Sequence, residues 1–143
     1  MLSQLSLDFC RQGVPTLWGS FEISNVRLAR TMLSQYAECD LTTSVKNGTW
    51  DLMSEEFGQL PLYFLDFYGS TEISAVLDAM EYSVYVHDVE HIVLDNLQFM
   101  TSSYTGRSRG SDFTQYDVIN RAIELFRKFA TAKVSLPACQ WPI

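Results

Sequence analysis

Two apolar patterns alternate along the chain: compact runs rich in β-branched and aromatic residues, and longer stretches whose apolar positions recur every three or four residues. The first reads as strand and the second as helix. Leu2, Leu5 and Phe9, with Leu7 beside them, have helical spacing, and Gly13 before Pro15 predicts the stop. Thr16 to Glu22, TLWGSFE, reads as a short strand. Ser24 and Asn25 then offer caps for a helix reaching Cys39, with Val26, Leu28, Ala29, Met32, Leu33 and Tyr36 on its core face. Asp40 to Gln59 is polar, carries the turn pair Asn47-Gly48, and reads as irregular surface. Leu60 to Phe67, LPLYFLDF, is the next strand, with Pro61 tolerable near its start. Thr71 to Tyr85 follows as a helix through Ile73, Val76, Leu77 and Met80. In His91 to Met100, HIVLDNLQFM, the run Ile92, Val93, Leu94 is too apolar for a strand with one wet face. It predicts a parallel strand buried on both faces and ending at Asp95. Thr101 to Ser111 is a Ser- and Gly-rich loop, and Asp112 to Ala130 returns to helix with Phe113, Tyr116, Ile119, Ile123, Phe126 and Phe129 inward.

Alternating helices and strands predict an α/β fold, a parallel sheet with flanking helices. Composition agrees. The chain has 143 residues, 47% of them hydrophobic and 13% aromatic, enough for one packed domain rather than a disordered segment. A net charge of -7 argues against a nonspecific nucleic-acid coat but leaves room for a local basic loop. Cys10, Cys39 and Cys139 are odd in number, far apart and without CxxC spacing, so neither a disulfide framework nor a zinc site is indicated and a reducing compartment fits best. No apolar run is long enough to cross a bilayer. The opening MLSQLSLDFC has no basic residue and reads as neither a signal peptide nor a mitochondrial presequence.

Candidate chemistry gathers at strand ends. Ligands of open α/β sheets sit at the carboxyl ends of strands, where Asp95 and Glu22 both stand. If their strands are neighbours, one carboxylate can serve a Mg²⁺ while the other orients water. Each also suits a plainer role: Asp95 in a turn, Glu22 as a helix N-terminal acid favoured by the macrodipole. Asp66 ends the intervening strand and competes for either role. His87 and His91, with Asp88 and Glu90 between them, straddle a loop-to-strand junction, which fits a solvated connection better than a metal site. Arg107 and Arg109, with Tyr104 nearby, can meet a nucleic-acid backbone and base or serve as soluble surface. Arg27 and Arg30 suit solvated helix positions. Nothing in the 143 residues matches G-x-x-x-x-G-K-[ST], and no Ser-His-Asp or Cys-His arrangement stands out.

Four stretches carry a family likeness: QGVPTLWGSFEISNVRLARTML, LPLYFLDFYG, HIVLDNLQFM and ELFRKFAT. Together, across Leu7 to Thr131, the chain resembles the RecA-like helicase domain of Twinkle-type mitochondrial replicative DNA helicases, in the DnaB-like superfamily. The resemblance implies a partial RecA-like (P-loop NTPase) domain over residues 1–131, followed by a divergent tail over 132–143. It implies a ring, usually hexameric, that hydrolyses ATP with Mg²⁺ and moves 5′ to 3′ along single-stranded DNA in the nucleoid of the mitochondrial matrix. Carried over by position, Glu22 matches the glutamate that activates water, and Asp95 the Walker B aspartate that works on Mg²⁺ through water. Arg107 and Arg109 fall in the place of a DNA-binding loop whose own sequence departs from the family.

The departures set further expectations. The family's Walker A strand and loop precede the first helix of this chain, and the strands after the Walker B strand, with a phosphate-sensing His and an arginine finger, have no match after Thr131. The tail AKVSLPACQWPI suggests a truncated gene model, an alternative transcript or a frameshift. The isolated polypeptide is therefore expected to be inactive, because phosphoryl transfer rests on positioning and electrostatic stabilisation. The alternative is a noncatalytic RecA-like interaction module that associates with a full-length helicase ring. A third expectation is a fragment that fails to accumulate because an unpaired sheet edge promotes aggregation.

Overall fold

The computed structural model describes residues 1–38, 50–67, 71–95 and 115–134. Helix α1 (Leu2–Arg11) leads through Gly13, at φ 83°, into strand β1 (Thr16–Ser20). Gly accepts that left-handed turn without steric cost, so the helix stops where expected. Helix α2 (Asn25–Tyr36), helix α3 (Trp50–Gly58), strand β2 (Leu62–Phe64), helix α4 (Ile73–His87), strand β3 (His91–Asp95) and helix α5 (Gln115–Val134) follow. The strands pair in parallel in the order β2-β1-β3, which makes the fold α/β as expected.

Strand alternation divides the core into two layers. Trp18 and Val93 point to the side covered by α1, α2 and α3, where they pack with Leu7, Leu28 and Met32. Leu17, Ile92 and Leu94 point to the other side, against Ile73, Val76 and Met80 of α4 and Ala122 of α5. All of β1 is buried because it is the central strand with helices on both faces. From β1 to β2 the chain steps one way under α2 and α3, and from β2 to β3 it steps back across β1 under α4. Direction and covering face reverse together, so both crossovers have one hand.

Gly19 fits this crowding. A Cβ there would lie 2.8 Å from Leu94 Cδ2 and 3.0 Å from Leu65 Cδ1, so the missing side chain lets two leucine tips close over the central strand.

Several pattern-based expectations change. Residues 50–58, read as irregular surface, form α3, because Trp50, Met53 and Phe57 make a short apolar stripe between acidic positions. Phe57 meets the ring of Tyr36 edge-on at 5.8 Å, which docks α3 on α2. On α1 the buried positions are Ser6, Leu7 and Cys10, while Leu2 and Leu5 are exposed. Small Ser6 and Cys10 bring the helix close to the sheet, and Ser6 Oγ accepts a 3.0 Å bond from the buried Trp18 Nε1. Val26 is 81% exposed, and Tyr116 and Ile123 also face outward, leaving Leu28, Met32, Ala122 and Phe126 to do the packing. Phe113 and residues 39–49 lie outside the described residues.

Candidate functional site

The carboxyl-terminal rim of the sheet is built by three strand ends. Ser20 of β1 and Asp95 of β3 are register partners, and the Phe21 amide donates to the Asp95 carbonyl at 2.8 Å, one bond beyond the ladder. Glu22 is the next residue. Two residues after β1 and at the last position of β3, Glu22 and Asp95 therefore stand on adjacent strands at the same rim, and both are exposed. Alternation puts Asp95 on the face of His91 and Val93, which is also the face of Ser20 and Trp18. On the far side of β1, the Leu65 amide donates to the Trp18 carbonyl at 2.7 Å, and the exposed Asp66 follows.

The turn between β1 and α2 carries Glu22. Inside it the Ile23 amide donates to Ser20 Oγ at 3.2 Å, and Asn25 Nδ2 donates to the Leu65 carbonyl at 2.8 Å. Of the two cap candidates, Ser24 occupies the N-cap position but makes no side-chain capping bond.

Among the described residues no three His, Cys, Asp or Glu side chains converge as a metal cluster. Glu22, Asp66 and Asp95 thus do not form a protein cage. An exposed pair of carboxylates suits Mg²⁺, which keeps several waters and takes one or two carboxylates plus phosphate oxygens. Asp95 and Glu22 have the right donor chemistry for that ion. The 143 residues contain no G-x-x-x-x-G-K-[ST] stretch, the loop whose amides and lysine cradle phosphates.

The two histidines are pulled apart. His87 ends α4 and stacks on Tyr63 at 4.5 Å, whereas His91 begins β3, meets Phe9 edge-on at 4.7 Å and lies with Nε2 3.4 Å from Ser6 Oγ. His91 is a packed contact of α1 rather than a solvated connection. Burial pushes its pKa down from the ordinary value. A His that is harder to protonate when folded binds fewer protons than the unfolded chain, so its contribution to stability is full above about pH 6.5 and lost as pH falls through the lower folded value. Thermal unfolding followed across mildly acid pH should show falling stability in the native chain and a flatter profile in His91→Gln.

Arg27 and Arg30 are exposed on α2, as expected of solvated positions. Arg107, Arg109 and Tyr104 lie outside the described residues.

Residues 3–136 match the AAA domain family. The chain belongs to that family. AAA domains of this type are P-loop NTPase-like and occur in DnaB-like helicases among others, which agrees with the parallel three-stranded sheet flanked by helices. By family, the AAA domain carries helicase-type NTPase activity with nucleotide and Mg²⁺, and goes with DNA binding and oligomerisation. Among the described residues no helix is long and apolar enough to cross a membrane.

Proposed function

We propose that this AAA domain is part of an ATP-dependent, 5′ to 3′ replicative DNA helicase of the Twinkle type, and that it supplies the acidic half of the fuel pocket. The observation that carries the reading is the placement of Glu22 and Asp95 on the ends of adjacent parallel strands, within a family match covering residues 3–136. Asp95 would hold a Mg²⁺ ion through water, and Glu22 would serve as the base that accepts a proton from the attacking water. Bound Mg²⁺ supplies charge stabilisation to the phosphoryl group. A positioned carboxylate base contributes on the order of a hundredfold to ten-thousandfold. Arg107 and Arg109 are the proposed contacts to single-stranded DNA, the ring is a hexamer, and the site of action is the mitochondrial nucleoid. The 143-residue polypeptide by itself is inactive, for want of a phosphate cradle.

The test uses the purified chain. Mn²⁺, standing in for Mg²⁺, should broaden the amide signals of Phe21, Glu22 and Asp95, and Asp95→Asn should remove the effect. Broadening centred elsewhere, or insensitive to Asp95→Asn, would contradict the assignment. Added ATP should not be hydrolysed; hydrolysis that Glu22→Gln abolishes would overturn the claim of inactivity.

A second reading, a noncatalytic module that joins a complete helicase ring, draws on the outward-facing Tyr82, Tyr85 and Val86 of α4. It requires that the purified chain be captured by an intact DnaB-like helicase, and failure of that capture removes it.

A further inference from the structure

We infer that Asn25 and Ser20 are positioning residues that hold Glu22 over the metal side of the rim. This inference rests on the proposed role of Glu22 and Asp95 and names what fixes their relation.

A loop-borne carboxylate serves as a base only if its own backbone is held. Glu22 sits in the four-residue link Phe21 to Ser24, between the last residue of β1 and the first of α2. The usual device for fixing such a link is a bond from the N-cap side chain to an amide of the first helical turn. Ser24 makes no such bond. The link is instead tied at three other points. Its first residue is held to β3 by the Phe21 amide bond to the Asp95 carbonyl. Its middle is held to β1 by the Ile23 amide bond to Ser20 Oγ, and Ser20 is only 3% exposed, so its hydroxyl cannot wander. Just past its end, the Asn25 side-chain amide donates to the carbonyl of Leu65, the residue after β2 and 40 residues away in sequence. Glu22 lies between these ties, with a tie on each neighbouring strand.

Asn25 is an expensive way to start a helix. Its Oδ1 is buried and meets no donor among the described residues, and a buried acceptor without a partner costs stability. Asp at this position would serve the helix dipole better, with its negative charge at the N-terminus. What Asp cannot do is donate to the Leu65 carbonyl. The side chain present is the one that ties α2 to β2, and the consequence of that tie is the fixed direction of the turn carrying Glu22.

The test compares two positions in one spectrum of the full 143-residue chain with Mn²⁺ as the probe. In the native chain both Asp95 and Glu22 amides broaden. In Asn25→Leu the Asp95 effect is retained while the Glu22 effect falls at least twofold relative to it, and Ser20→Ala gives the same change together with faster hydrogen exchange at the Ile23 amide. A constant Glu22-to-Asp95 ratio in both variants overturns the inference, even if melting temperatures drop, because loss of stability alone leaves that ratio unchanged. Ser20→Ala keeps the test open should Asn25→Leu fail to fold. If the native chain shows no broadening at Asp95, or Asp95→Asn does not abolish it, the proposed metal site fails instead, so the two failures are distinct.

Discussion

Glu22→Gln should lower kcat by about a hundredfold to ten-thousandfold in a helicase ring rebuilt around this chain, with residues 3–136 replacing the matching segment of an intact DnaB-like enzyme. The isostere keeps the size of the side chain and its place beside β3, where the Phe21 amide meets the Asp95 carbonyl, but cannot take a proton from water. If Glu22 acts only in the transition state, kcat falls while KM for nucleotide stays close to its parent value. Each decade lost corresponds to about 1.4 kcal/mol of transition-state stabilisation. Asp95→Asn in the same ring should give a different signature. Its defect lies in holding the ion, so activity should need more Mg²⁺ and recover in part as Mg²⁺ is raised. Steady-state kinetics at several Mg²⁺ concentrations separates the two residues. A Gln variant that keeps kcat within a few-fold of the parent would remove Glu22 from the chemistry.

That separation depends on the strand order, which periodicity alone does not dictate. Compact apolar runs at Thr16 to Glu22, Leu60 to Phe67 and His91 to Asp95 are enough to read three parallel strands and the helices between them. Whether β1 or β2 lies beside β3 is a matter of crossover geometry, and only with β1 beside β3 do Glu22 and Asp95 stand on adjacent strands. The helix faces were harder to read for a related reason. Counting apolar residues on α1 favours Leu2 and Leu5, yet Ser6 and Cys10 go inward, because a small residue permits close approach and the Trp18 indole needs an acceptor. The acceptor sits 12 residues from its donor, so no local window contains the pair. Asn25 is legible as a helix start but not as a tie to Leu65, whose carbonyl is brought near by strand pairing. Helix α3 was missed because acidic residues dilute its stripe of Trp50, Met53 and Phe57.

Trp18→Ala should cost about 3–5 kcal/mol, a large share of the roughly 5–15 kcal/mol that holds a domain of ordinary stability. Trp18 is 3% exposed and stands on the central strand, where its ring fills the layer between the sheet and α1 and α2 against Leu7, Leu28 and Met32. Truncation removes that packing and also the donor to Ser6 Oγ, the hydroxyl that in turn lies 3.4 Å from His91 Nε2. Thermal unfolding should move down by roughly 10–20 °C. Trp18→Phe divides the effect, since it keeps an aromatic ring in the layer but leaves Ser6 without its indole partner; a smaller loss of about 1–2 kcal/mol is expected. Val26→Ala, at a position 81% exposed, provides the control and should stay within about 0.5 kcal/mol. A Trp18→Ala loss no greater than that of Val26→Ala would mean that α1 is not sealed to the sheet through this ring. The consequence reaches the rim, because Trp18 also accepts the Leu65 amide through its carbonyl and lies two residues before Ser20. Loosening β1 at Trp18 therefore loosens Leu65 and Ser20, the two anchors from which the turn bearing Glu22 is held.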